Sequence, residues 1–134
     1  MQIKEKINFE LDISNNHIFL SKSIKSTNVL VIGGAGTIGS SYIKQILNYK
    51  PSKITIVDIN ENSLTELTRD LRSSNLLDYN PEYITYPVNL LSDTFDKVFN
   101  SETWQVVANF SAHKHVRSEK DKISIEALIK NNVY

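Results

Sequence analysis

No cysteine occurs in the chain, which removes a disulfide framework and every thiolate metal site, and is compatible with a reducing cytosol. An excess of either charge is equally missing. Fifteen Lys and Arg (15) stand against 15 Asp and Glu, so there is no net field to recruit nucleic acid or an anionic membrane. Long apolar runs are absent too: Val29-Leu30-Val31-Ile32 is far too short to span a bilayer, and the polar start Met1-Gln2-Ile3-Lys4-Glu5 is no secretory signal. The three histidines supply no metal site, because His17 stands alone and His113 with His115 form an i, i+2 pair lacking carboxylates at helical spacing. The expectation is a soluble cytoplasmic protein without nucleic-acid, membrane or metal partners.

The 134 residues suit one domain, long enough to bury a core but short for a complete oxidoreductase that must also hold a substrate. From Asn28 onward, short apolar runs alternate with amphipathic segments, the pattern of parallel strands buried on both faces and joined by crossover helices. Four strands are predicted at Val29–Ile32, Ile54–Val57, Tyr83–Val88 and Val106–Phe110. Helices fall between and after them. Ile38, Tyr42, Ile43, Ile46 and Leu47 mark the first, stopped by Pro51, and Leu64, Leu67 and Leu71 the second, with Ser63 and Glu66 as a capping box and Asn80-Pro81 closing the connection. Phe95, Val98 and Phe99 mark a third helix, and Ile125, Leu128 and Ile129 a fourth. The fold class is therefore α/β, a Rossmann-type doubly wound parallel sheet over residues 28–134, with a short amino-terminal extension over 1–27. In that extension Ile7, Phe9, Leu11 and Ile13 alternate with polar residues before Asn15-Asn16, predicting a small hairpin or arm that covers the domain or joins subunits.

Gly33-x-x-Gly36-x-x-Gly39 directly follows the first strand and opens the first helix. The first glycine permits the tight turn, the second lets a phosphate approach the backbone, and the third lets the helix pack closely on the sheet. The free amides of a helix beginning near Thr37 and Ile38 then favour a pyrophosphate. No Gly-Lys-Ser/Thr follows, which argues against a nucleoside triphosphatase loop. Asp58, at the end of the second strand and followed by Ile59, can accept hydrogen bonds from an adenosine ribose and repel a 2′-phosphate. NAD is thus preferred over NADP, with Arg69, Arg72 and Lys53 as the cations that would compensate for NADP. Asn89-Leu90, after the third strand, are either an adenine contact or a plain turn, and Phe110-Ser111-Ala112 end the fourth strand where a dinucleotide would cross. The cluster Ala112-His113-Lys114-His115-Val116-Arg117 next to them is either a solvated loop or a contact for nucleotide or sugar.

These residues resemble the extended short-chain dehydrogenase/reductases, and within them the polysaccharide-biosynthesis nucleotide-sugar 4,6-dehydratases. The resemblance covers about 28–134 and rests on the run Val29 to Ser41, on Val57-Asp58 with Glu61-Asn62-Ser63-Leu64, on Ala112-His113-Lys114-His115-Val116, and on Asn131-Asn132-Val133. The glycine turn and Asp58 are common to the superfamily, whereas the Lys-His-Val triplet is the narrower signature. The resemblance implies a UDP-N-acetylglucosamine 4,6-dehydratase or close relative acting in surface polysaccharide biosynthesis. Such enzymes oxidise the sugar at C4, eliminate water across C5 and C6, and return the hydride to C6. Lys114 and His115 are the candidate substrate-binding residues, which either touch the sugar nucleotide or shape the loop. The family's catalytic Thr-Asp-Lys stretch and Tyr-x-x-x-Lys pair have no counterpart here, so no catalytic residue is assigned. Tyr49 and Lys53 match the pair's spacing, but Pro51 interrupts them and they are read as structural. The expectation is the amino-terminal part of a longer protein, inactive by itself, with an open sheet edge that a second chain of a homo-oligomer would cover. The alternatives are a noncatalytic nicotinamide-binding module and an epimerase or reductase of the same superfamily.

Overall fold

The computed structural model describes residues 8–112 together with 123, 125, 126, 129 and 130. Four strands, β1 (Asn28–Ile32), β2 (Lys53–Asp58), β3 (Glu82–Pro87) and β4 (Val106–Asn109), form one parallel sheet in the order β3-β2-β1-β4. Between them run α3 (Thr37–Leu47), α4 (Glu61–Ser73) and α5 (Asp93–Asn100), and before them stand α1 (Phe9–Asn15) and α2 (His17–Ile24). The expected α/β architecture is therefore observed, with strand bounds that differ by no more than a residue or so.

Because alternate side chains of a strand point to opposite faces, the sheet carries two cores. Val29, Val31, Ile54 and Ile56 pack on one face against Ile43, Ile46 and Leu47 of α3 and the Leu64, Leu67, Leu71 stripe of α4. Leu30, Ile32 and Val57 meet Phe95 and Val98 of α5 on the other. The central strands β1 and β2 are buried on both sides, which is why they read as near-continuous apolar runs, with Thr55 the one interior polar residue of β2. The edge strand β4 alternates instead between half-buried and exposed positions.

Two local expectations are corrected. The segment before the sheet is a pair of helices, not a hairpin: Asn8 caps α1, its side chain accepting from the Leu11 amide at 3.2 Å, and Asn16 lies between α1 and α2 rather than in a β-turn. The alternation of Phe9, Leu11 and Ile13 has no sheet face on which to be buried, since these side chains are exposed, and the cap with Glu10 and Asp12 in the first turn decides the matter for helix. The cap of α4 is Asn60, whose side chain accepts from the Ser63 amide at 3.0 Å, rather than Ser63 with Glu66. Glu66 pairs with Arg69 at 2.7 Å on the solvent side. Of the expected last helix, Ile125 and Ile129 are helical, as are Ile123, Glu126 and Lys130, while Leu128 lies outside the described residues.

Candidate functional site

The chain winds outward from β1 to β2 and β3, then returns to place β4 on the other side of β1. At such a reversal, the loops leaving adjacent strands diverge and open a crevice at the strands' carboxyl ends. A cleft of about 450 Å³ lies there, inside the roughly 300–1,000 Å³ range of small-molecule sites. Its floor is Ile32, Val57 and Val88, and its walls carry Gly33, Gly36, Asp58, Ile59, Asn89, Leu90, Leu91, Phe110, Ser111 and Ala112.

The glycine turn explains the cleft's shape. Gly33 sits at φ 69°, and a Cβ there would lie 2.5 Å from the Ser111 nitrogen, so the turn and the loop after β4 touch only because no side chain intervenes. A Cβ on Gly39 would strike the Gly33 carbonyl oxygen and lie 2.8 Å from the Gly34 Cα, so its role is to seat α3 on the turn. Gly36 is different. Among the described residues, the nearest atom to a Cβ there is the Gly33 oxygen at an ordinary 3.6 Å, so no described neighbour requires glycine at this position. Gly36 is also the cap residue of α3, with no side-chain hydrogen bond to the helix end. The amides of the first turn, from Thr37, are thus left without a capping side chain beside the cleft. Thr37 and Ile38 do not line it directly; Ile38 is exposed at the helix start, and Thr37 accepts the Ser40 and Ser41 hydroxyls at 3.1 and 2.9 Å.

The other end of the turn is fastened to β2. The Gly33 and Gly34 amides donate to the Val57 carbonyl at 2.7 and 3.3 Å, and the Ala35 amide donates to Asp58 Oδ2 at 3.0 Å. Asp58 Oδ1 accepts from the Asn60 amide at 3.0 Å. Across the cleft, Asn89 Oδ1 accepts the Leu91 amide at 2.9 Å, so its side-chain oxygen shapes the turn while the residue still lines the wall. Phe110 stacks at a tilt on Tyr42, with 5.0 Å between ring centres, and burial pushes the Tyr42 phenol pKa up.

Sequence reasoning did not single out Asn109, whose Oδ1 accepts both the Ser111 amide at 3.0 Å and its hydroxyl at 2.8 Å, fixing the loop that meets Gly33. It also passed over Ile32, Val57 and Leu91; the first two close the predicted strands, and that position was the available signal. The cations considered for a 2′-phosphate are placed elsewhere. Lys53 starts β2, at the amino ends of the strands and so at the opposite end from the cleft, and is bound by Glu82 at 2.9 Å and by Glu102. Arg69 pairs with Glu66, and Arg72 lies by Tyr83, whose phenol pKa burial raises, with the Thr68 hydrogen bond and the Arg72 charge offsetting that only in part. Tyr49 stacks near His17 at 5.5 Å, far in role from any pair with Lys53. Lys114 and His115 lie outside the described residues. Among the described residues no group of His, Cys, Asp or Glu could hold a metal ion, and no helix is long and apolar enough to cross a membrane.

With this geometry in place, similarity to known proteins is informative. The polysaccharide biosynthesis protein EpsC of Bacillus subtilis (strain 168) is 29% identical over 118 residues, which are 85% of this chain and 19% of EpsC. The solved structure of Pen from Bacillus thuringiensis matches with a TM-score of 0.65 and 27% identity over 82% of this chain and 32% of Pen. A chain from Haemophilus influenza described as a D-mannonate oxidoreductase, solved with bound NAD, shares the fold at TM-score 0.55 and 14% identity over 84% of this chain and 48% of that one. The chain therefore spans about a fifth of the length of its curated relative EpsC. Residues 29–134 match the polysaccharide biosynthesis protein family. With a dehydrogenase-like sheet, a glycine turn and an acid at the end of β2, the chain belongs to that family.

Proposed function

We propose that the cleft binds NAD, and that the chain is the nucleotide-binding part of a nucleotide-sugar 4,6-dehydratase of the UDP-N-acetylglucosamine type acting in surface polysaccharide biosynthesis. The observation that carries the reading is Gly36. Of the motif's three glycines it alone has, among the described residues, no neighbour that a Cβ would strike, and it lies where the uncapped start of α3 borders the cleft. A position kept bare without a packing reason fits close approach of a pyrophosphate to the backbone.

The remaining residues fit the rest of the dinucleotide. Asp58 would take the adenosine ribose hydroxyls on the carboxylate lone pairs that Ala35 and Asn60 leave free, each oxygen having room for a second bond. Ile59 and Leu90 offer apolar contact to the adenine, and Asn89 a polar edge. Ser111 and Ala112, small and at the exit of β4, leave space for the nicotinamide half. A 2′-phosphate would meet Asp58 while Lys53 is held at the opposite, amino end of β2, which favours NAD over NADP. When bound, the nicotinamide would supply reversible hydride transfer at the sugar. Lys114 and His115, just beyond the cleft-lining Ala112, are the residues we assign to the sugar nucleotide.

Replacing Gly36 with valine tests the site. The fold tolerates a Cβ there, so circular dichroism and melting are expected to stay near wild type while NAD affinity falls by at least about a hundredfold, the two branches filling the pyrophosphate's place. Unchanged affinity in the folded variant would sink the assignment.

A further inference from the structure

The glycine turn divides its amides between two directions. Those of Gly33, Gly34 and Ala35 all point back to the end of β2, two onto the Val57 carbonyl and the third onto the Asp58 carboxylate. Those that begin α3, next to the cleft-lining Gly36, have no capping side chain among the described residues. The last of the inward amides is held by a side chain rather than by backbone, and the carboxylate that holds it also takes the Asn60 amide. Asn60 in turn caps α4. One half-buried side chain thus joins the turn that opens α3 to the loop that opens α4.

We infer that Asp58 is a positioning residue for the phosphate cradle as well as a ribose acceptor: its carboxylate clasps Ala35 and so sets where the turn hands over to Gly36 and the α3 amides. A charge-assisted hydrogen bond to a backbone amide is stronger than a neutral one and fixes the orientation of the peptide that follows. The same two bonds also restrain the Asp58 rotamer, so the carboxylate that would meet the ribose is already oriented. Ribose recognition and pyrophosphate recognition are therefore coupled through one side chain. The ligand-facing half of this inference rests on the dinucleotide reading; the clasp does not.

The test uses the 134-residue chain and two readouts. The first is amide exchange in the ligand-free protein, followed by nitrogen-resolved magnetic resonance. In Asp58→Ala, the Ala35 and Asn60 amides are expected to exchange at least about tenfold faster while the strand amides of Leu30 and Ile56 are unchanged. If the variant loosens everywhere, Asp58→Asn, which retains one acceptor oxygen, is expected to expose one of the two amides selectively. Wild-type protection at both Ala35 and Asn60 in either folded variant would overturn the clasp.

The second readout is titration with inorganic pyrophosphate, which has no ribose, followed at the Thr37 and Ile38 amides. Removing a carboxylate beside an anion lowers repulsion and by itself tightens binding. Loss of the clasp does the opposite, and binding about tenfold weaker than wild type is expected. Equal or tighter binding would overturn the positioning role. If wild type shows no pyrophosphate response at these amides, the dinucleotide reading fails, and the ligand-free exchange rates still decide the clasp.

Discussion

Lys53 is a charged residue that the fold buries almost completely, and the sheet is built around its neutralisation. Its ammonium group, at the amino end of β2, is held by Glu82 from β3 and by Glu102 from the segment before β4. Burial alone would pull its pKa down, but the hydrogen bonds and charges of Glu102 and Glu82 outweigh that and hold it above the ordinary lysine value. Since the folded pKa is the raised one, the stabilisation is fully present below about pH 10 and fades as pH climbs through Lys53's own pKa. Because Glu82 and Glu102 keep access to water, urea melts of wild type and Lys53→Met should differ by only about 1 kcal/mol near neutral pH and converge at strongly alkaline pH; a difference that does not change with pH would show that the ion pairs are not its source. Tyr79 makes the opposite case. Its hydroxyl is buried with no partner among the described residues and burial pushes its pKa up to about 12, so Tyr79→Phe should stabilise the chain by about 1 kcal/mol, and a loss of stability would reveal a hydrogen bond. Neither role was legible beforehand: the Lys53 partners lie 29 and 49 positions away, and pattern reading sees only near neighbours.

At the scale of the element, legibility follows burial. The strands β1 and β2 are covered on both faces, so their composition announced them, and the Leu64, Leu67, Leu71 stripe announced α4 because a single face of it is buried. The helices α1 and α2 fully bury no residue; Ile24, at the end of α2, packs partly buried against the core, and the other apolar side chains form no buried stripe that a period could record. Helix ends were harder still, because several residues near a terminus are chemically able to cap. The structure selects Asn60 over Ser63 for α4, which can be checked. Asn60→Ala should cost about 1 kcal/mol in thermal or urea unfolding, whereas Ser63→Ala should change stability by no more than a few tenths. Equal costs would restore the expected capping box.

For the molecule as a whole, the order β3-β2-β1-β4 determines the location of the candidate site before any side chain is considered. The reversal between β1 and β4 opens the crevice, the glycine turn lies on one lip and the Asn109–Ala112 loop on the other, and the two meet where Gly33 abuts Ser111. Most of the cleft was legible from the sequence, since a glycine turn after a strand and an acid at the next strand's end are consequences of local sterics and spacing. The contact between the turn and the loop after β4 was not, because it depends on strands adjacent in space but distant in sequence. The measurement that bears most directly on the dinucleotide reading is calorimetric titration of the chain, freed of co-purified nucleotide by denaturation and refolding, with NAD and then NADP. Saturable one-to-one binding of NAD, at least about tenfold tighter than NADP and with that preference lost in Asp58→Ala, is the predicted result. A folded chain that gives no binding heat with either nucleotide, or prefers NADP, would contradict it.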